Sequence, residues 1–130
     1  MNLALEHLND NLPDVEVIVP VPLHPSRRRE RGYNQSDLIA RHLSRALRLP
    51  VDKRTLRRTR ATAPQARLGS ADRIRNVQNA FACRDNTLQD KAILLIDDVC
   101  TTGATLDACA HALKQGRARA VHSLTLARAP

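Results

Sequence analysis

The residues best suited to chemistry stand together in the segment AILLIDDVCTTGATL, residues 92–106. Two adjacent carboxylates, Asp97 and Asp98, follow an apolar run and precede a threonine-rich turn. Backbone N–H groups in a glycine-containing turn can converge on a phosphate, and the start of a helix adds partial positive charge. Threonine hydroxyls can donate further hydrogen bonds to the same anion. The sequence therefore predicts a phosphate-binding turn made of Thr101, Thr102, Gly103, Ala104 and Thr105.

The two carboxylates would be repelled by a bound phosphate unless the same ligand also offers hydrogen-bond donors or a divalent cation. Ribose hydroxyls can donate hydrogen bonds to Asp97 and Asp98, and Mg²⁺ chelated by hydroxyls and a pyrophosphate would offset the negative charge. The pattern favours a ribose 5-phosphate site, with Mg²⁺ held through the ligand rather than directly by the protein. The alternative is a structural role, in which the acid pair ends a strand and the turn caps a helix.

The elements that must position these residues follow from the apolar pattern of the rest of the chain. Strands are predicted over residues 15–21, 51–59, 92–96 and 120–127, the second of them short or at an edge. Helices are predicted over residues 36–48 and from Ala104 to Gly116. The run AILLI lacks alternation, which indicates a strand buried on both faces, and it is predicted to end at Asp97. This order predicts an α/β fold of three layers with a mostly parallel central sheet, whose ligands gather at the carboxyl ends of strands.

Composition and charge define the class of protein and of partner. A chain of 130 residues with 42% apolar and 26% charged residues fits one soluble globular domain. Its net charge of +8 favours nucleotides, phosphorylated sugars or nucleic acid as partners. No apolar run is long enough to span a bilayer and the first 30 residues do not resemble a signal peptide, so a cytoplasmic location is expected. The three cysteines show no CxxC spacing, and neither a P-loop nor a GxGxxG fingerprint is present.

Several segments of the chain resemble a known family. The stretch from Ile93 to Leu106 resembles the phosphoribosyl pyrophosphate signature of type I phosphoribosyltransferases. The segments IVPVPLHPSRRRERGYNQSDLIA, PQARLGSADRIRNVQNAF and LTLAR resemble the ComF/GntX family, bacterial proteins linked to DNA uptake and competence. The likeness covers about residues 15–128.

The resemblance implies a role for each loop. Asp97 and Asp98 would hold the ribose hydroxyls, and the turn at 101–105 would hold the 5-phosphate. A mobile loop over residues 60–79 would close over the reaction. The turn after the first strand would bind pyrophosphate through Val21, Pro22, Leu23 and His24.

Arginines are the expected partners of the departing pyrophosphate. Arg31 is favoured because it adjoins Gly32 and a polar Asn-Gln pair, and Arg73 is favoured by the family likeness alone. Neighbouring loop arginines stay open as alternatives, namely Arg28, Arg29, Arg67 and Arg75. Members of the family generally carry an N-terminal four-cysteine zinc module, whereas about fourteen residues precede the first predicted strand here. We therefore expect residues 1–130 to form a single phosphoribosyltransferase-like domain without that module.

Functions of different classes fit these features. The first is an enzyme that transfers phosphoribosyl from its pyrophosphate donor to a nitrogen nucleophile. The second is a non-enzymatic competence module that uses the site to sense a ligand or to bind proteins of the DNA-uptake machinery. A third is direct contact with nucleic acid, which would be weak and salt-dependent because Tyr33 and Phe81 are the only aromatic residues. A homodimer is compatible with each of them.

Overall fold

The described part of the chain contains five strands and two helices. The computed structural model describes residues 14–22, 35–59, 80–100 and 103–128, and for 98–100 and 126–128 it describes the backbone. Its elements, in chain order, are β1 (Val17–Pro20), α1 (Gln35–Leu47), β2 (Leu56–Arg58), β3 (Phe81–Cys83), β4 (Ala92–Cys100), α2 (Ala104–Gln115) and β5 (Ala120–Arg128).

Three strands form a parallel sheet in the order β1-β4-β5, so that β4 lies in the middle. β1 pairs with β4 from Val17 opposite Ile93, and β4 pairs with β5 from Ala92 opposite Ala120. On the other side of β1, Val51 forms a parallel bridge with Ile18. β2 and β3 form a separate antiparallel pair. The carboxyl ends of β1, β4 and β5 therefore meet at one edge of the sheet.

A layer covers each face of the sheet, because successive residues of β1 and β4 point to opposite sides. On one side Ile18, Leu94 and Ile96 pack against α1, which buries Ile39, Ala40 and Leu43. On the other side the core contains Val19, Ile93, Leu95, residues of α2, and Leu56 and Phe81 from the β2–β3 pair. The predicted three-layer α/β architecture is confirmed.

The segment 51–59, predicted as one short strand, is two separate pieces. Val51 bridges β1, whereas Leu56–Arg58 pairs with β3. The chain changes direction between them at Asp52, whose Oδ1 accepts hydrogen bonds from the backbone N–H groups of Arg54 and Thr55, both at 2.9 Å. The prediction of a single strand was wrong because this local turn separates two pairing partners.

The central strand also differs from its predicted bounds. Backbone pairing does not end at Asp97 but continues with Val99 opposite Ala127 and Cys100 opposite Arg128. The adjacent carboxylates do not end β4, because β5 continues to pair with it beyond Asp97. Asp97 is consequently part of the sheet, with its side chain direction set by strand alternation.

Helix α2 is bounded by two glycines used in different ways. Gly103 precedes the helix with φ +81°, a left-handed conformation that side chains disfavour. Gly116 ends the helix with φ −77°, and the left-handed residue of this terminus is Arg117, with φ +68°. A Cβ at Gly116 would lie 2.9 Å from Cys83 Sγ, so this glycine is required by close packing rather than by its backbone angles.

The opposite, amino-terminal edge of the sheet is held by Glu16. Its carboxylate accepts hydrogen bonds from the Arg119 guanidinium at 2.6 Å and from the backbone N–H of Ala92 at 3.2 Å. The Arg119 hydrogen bond lowers the pKa of Glu16, with a smaller contribution from the Ala92 N–H. Three neighbouring strands are thereby joined away from the carboxyl edge. None of the helices in the described part of the chain has the length and apolarity needed to cross a bilayer.

Candidate functional site

The predicted pyrophosphate loop begins beside the acid pair. Val21 is buried and its backbone N–H donates a hydrogen bond to the Ile96 carbonyl at 2.8 Å, which ties the first residue after β1 to the end of the buried part of β4. Pro22 follows and is half-buried. Leu23 and His24 lie outside the described residues. Parallel pairing thus brings the start of this loop next to Asp97, as two strands with a shared carboxyl edge require.

Asp97 lies on the face of the sheet that α2 covers. Ile93 and Leu95 are in the core on that face, and alternation places Asp97 next in the same row. Its side chain is half-buried, and Thr125 of β5 stands opposite it in the register. The backbone of Asp98 continues β4. Asp97 therefore points to the same layer as the helix whose start is the predicted phosphate site.

The start of α2 is the described part of the predicted phosphate-binding turn. Gly103 turns the chain with its positive φ, and its carbonyl accepts the first helical hydrogen bond, from the Asp107 N–H at 2.9 Å. The first N–H groups of a helix have no carbonyl partner within the helix and carry partial positive charge. Ala104 and Thr105, both half-buried, stand in this first turn. Thr101 and Thr102 lie outside the described residues.

The pKa of a buried thiol in the second turn of α2 depends on the charges around it. Cys109 of α2 is fully buried, and burial raises the pKa of its thiol strongly. The Asp97 carboxylate raises that pKa further, whereas the cation of Arg58 lowers it. A neutral thiol of this kind is not a nucleophile. Asp97 and Arg58 therefore have opposite effects on the pKa of this thiol.

The sequence did not single out Arg58, although it lies near this layer. Arg31 and Arg73, the two arginines favoured from the sequence, lie outside the described residues. Arg58 is half-buried at the end of β2, and its guanidinium carbon lies 5.1 Å from the centroid of the Phe81 ring. The sequence signal for Arg58 is the alternation in Leu56-Arg57-Arg58, which places Arg58 on the same face as Leu56. This alternation can be recognised only when the segment is known to be a strand.

The donor set of the described residues can be compared with what Mg²⁺ requires. No group of three His, Cys, Asp or Glu side chains gathers within the ranges that the structure describes. Mg²⁺ commonly keeps several waters and binds through one or two carboxylates together with phosphates of the substrate. Asp97, a hard oxygen donor at the carboxyl edge, fits binding of Mg²⁺ through one carboxylate together with phosphates of the substrate.

Comparison with known proteins places the chain among relatives of one fold. The profile of the phosphoribosyl transferase domain family matches residues 29–130. The chain is 39% identical over 116 residues to Competence protein F of Haemophilus influenzae, covering 88% of this chain and 51% of that protein. It is 43% identical over 117 residues to the DNA utilization protein YhgH of Escherichia coli K12, covering 90% and 50%. The chain therefore spans about half the length of the curated relatives that it matches.

Solved structures give the same fold at low identity. The purine phosphoribosyltransferase from Pyrococcus horikoshii matches with a TM-score of 0.61 and 19% identity, over 99% of this chain and 71% of that one. The glutamine phosphoribosylpyrophosphate amidotransferase from B. subtilis matches with a TM-score of 0.60 and 18% identity, over 95% and 25%. These similarities confirm the predicted type I phosphoribosyltransferase-like fold.

Proposed function

This chain belongs to the phosphoribosyl transferase domain family, in its ComF group, and we propose that it binds phosphoribosyl pyrophosphate and transfers the phosphoribosyl group to a nitrogen nucleophile. The observation that carries the proposal is the placement of Asp97 and the Gly103 bend in one layer, at the carboxyl edge of a parallel sheet. An acid for sugar hydroxyls and a helix start for a phosphate are the two features that a phosphorylated ribose requires.

In the proposed reaction the bond from the ribose anomeric carbon to pyrophosphate breaks while a bond to nitrogen forms, and the nitrogen loses a proton to solvent. Asp97 would accept a hydrogen bond from a ribose hydroxyl and stabilise positive charge that develops on the ring. The N–H groups of the first turn of α2 would hold the 5-phosphate and so fix the sugar for in-line displacement. Mg²⁺ bound to the pyrophosphate, with Asp97 as a nearby oxygen donor, would neutralise the leaving group.

Binding is tested by titrating phosphoribosyl pyrophosphate with Mg²⁺ into the intact chain and into the double variant Asp97→Asn with Asp98→Asn. We expect affinity to fall by at least about tenfold, or about 1.4 kcal/mol. Asp90→Asn is the matched control, because Asp90 is exposed and lies two residues before the opposite, amino end of β4. Asparagine also tolerates the left-handed conformation of that position, where φ is +61°. Equal affinity in the double variant and the control would contradict the proposed site.

Transfer is tested separately, by measuring pyrophosphate release with a panel of nitrogenous bases. Release that depends on the identity of the base supports an enzyme. Binding of the donor without any base-dependent release would instead favour a second function, in which the same site senses a ligand and the protein acts through partners.

The names of the relatives support that second candidate, because they refer to competence and to DNA utilization. Direct contact with nucleic acid, the third function, has a physical reason of its own on the exposed side of α1, since Arg41 and Arg45 are one helical turn apart on it and both are exposed. Contact with nucleic acid through such residues would be driven by phosphates and weaken steeply with salt. Affinity for single-stranded DNA that survives high salt would contradict this mode of contact.

A further inference from the structure

Two consecutive arginines in β2 have different environments. Leu56 is buried, Arg57 is exposed and Arg58 is half-buried. Because side chains alternate along a strand, Leu56 and Arg58 share the inward face and Arg57 points outward. The inward face of β2 contacts the core on the α2 side of the sheet, to which Leu56 belongs. Arg58 therefore points toward the layer that contains Asp97, and Arg57 does not.

The guanidinium of Arg58 is held in place by the neighbouring strand. Arg58 stands opposite Phe81 in the β2–β3 register, and its guanidinium carbon lies 5.1 Å from the centroid of that ring. Phe81 is itself buried in the core. Just beyond, Thr59 donates two hydrogen bonds to the Ala80 carbonyl, from its N–H at 2.6 Å and from its hydroxyl at 3.0 Å. Stacking and this double hydrogen bond keep the end of β2 in a fixed position.

Arg58 and Asp97 approach the same part of the α2 layer from two strands. Leu56 and Phe81 beside Arg58, Ile93 and Leu95 in the row of Asp97, and Cys109 of α2 all belong to one cluster of buried residues. In agreement with this packing, Asp97 raises the pKa of Cys109 and Arg58 lowers it. Cys109 follows the first turn of α2, where Ala104 begins the helix. A cation, an acid and a helix start thus face the same layer of the core, and these are the three features that a phosphorylated sugar would contact.

We propose that Arg58 is a ligand-binding residue of the candidate site, which contacts a phosphate group of the ligand while Asp97 contacts its sugar. A guanidinium offers several donors in a plane and can bind phosphate oxygens bidentately. The contact with Phe81 restricts the Arg58 side chain before the ligand arrives, so less side-chain entropy is lost on binding. The inference rests on the proposed function, to which it adds Arg58 as a residue that binds phosphate.

The test compares Arg58→Met with Arg57→Met. Methionine keeps an apolar contact with Phe81 while it removes the charge, and Arg57 offers the same substitution one residue away on the exposed face. Arg58→Lys keeps the charge without the planar guanidinium. Affinities for phosphoribosyl pyrophosphate with Mg²⁺ and for inorganic pyrophosphate with Mg²⁺ are measured by calorimetry, and urea unfolding is recorded for each variant.

We expect Arg58→Met to weaken phosphoribosyl pyrophosphate by about tenfold or more, Arg58→Lys to weaken it less, and Arg57→Met to change it by less than about twofold. Equal affinities of the two methionine variants would overturn the role of Arg58 and leave the proposed function standing. If the unaltered chain binds pyrophosphate but not the sugar donor, and Arg58→Met loses pyrophosphate, the cation site stands and the proposed function fails. Binding of neither probe by the unaltered chain overturns both.

Discussion

Replacement of Gly103 by alanine tests whether the left-handed bend before α2 is part of the binding site. Gly103 has φ +81°, and no heavy atom of the described residues lies within 4 Å of an added Cβ. The substitution therefore introduces backbone strain without a steric clash. A left-handed conformation costs an ordinary L-residue about 1–2 kcal/mol.

This strain energy must lower either the free energy of unfolding or the affinity for the ligand. If the alanine variant keeps the left-handed bend without ligand, its free energy of unfolding falls by about 1–2 kcal/mol and its affinity is unchanged. If the bend relaxes instead, stability is spared and the ligand must restore the strained conformation on binding, which weakens affinity by about tenfold for each 1.4 kcal/mol. The two losses together should thus total about 1–2 kcal/mol.

The assay combines urea unfolding with calorimetric titration of phosphoribosyl pyrophosphate in the presence of Mg²⁺. Gly103→Asn should show a smaller total loss than Gly103→Ala, because asparagine enters the left-handed region more readily. If the losses in stability and in affinity together stay below about 0.5 kcal/mol, the positive φ is not required and the reasoning about the bend is refuted.

Three further predictions concern other positions. Gly116→Ala should destabilise the fold by about 1–3 kcal/mol in urea unfolding, since its Cβ would lie 2.9 Å from Cys83 Sγ, and Cys83→Ala in the same chain should recover part of the loss. The hydrogen bond from Arg119 lowers the pKa of Glu16, so the contribution of Glu16 to the free energy of unfolding is present above the ordinary pKa of 4.5 and is lost as pH falls through the folded-state pKa. The difference in stability between the unaltered chain and Glu16→Gln should therefore disappear on acidification. A difference that does not change with pH would contradict this. Burial raises the pKa of Cys109 more than that of half-buried Cys83, so mass spectrometry after thiol labelling of the native protein should find Cys83 modified before Cys109, and the reverse order would contradict the burial of Cys109.

The α/β fold was predictable because its central strands carry a strong local signal. The apolar run of β4 shows no alternation, and β1 reads in the same way, as expected of parallel strands covered on both faces. Helix α2 was predictable from the glycine at each end, although Gly116 is required for its contact with Cys83 rather than for a left-handed cap. Each of these signals lies within one short segment of the chain, so the sequence of that segment alone is enough to predict the element.

The β2–β3 pair was not predictable for the opposite reason. Phe81–Cys83 has three residues, which is too short for an alternating pattern to be recognised in the sequence, and it is a strand only because Leu56–Arg58 lies beside it. The continuation of β4 beyond Asp97 likewise depends on β5. Pairing between distant segments is a property of the folded chain, and a local pattern does not contain it.

The same distinction explains which part of the candidate site the sequence could identify. Asp97 and Gly103 lie close together in one segment, so residue types and spacing were enough to associate them. Arg57 and Arg58 have the same chemistry and adjacent positions, and a shift of one residue in the register of β2 would exchange their faces. Only the pairing of Arg58 with Phe81 decides which of the two points inward. The choice between these two arginines therefore depends on a strand register that Phe81, 23 residues from Arg58, helps to establish, and the spacing of residues in the sequence does not contain it.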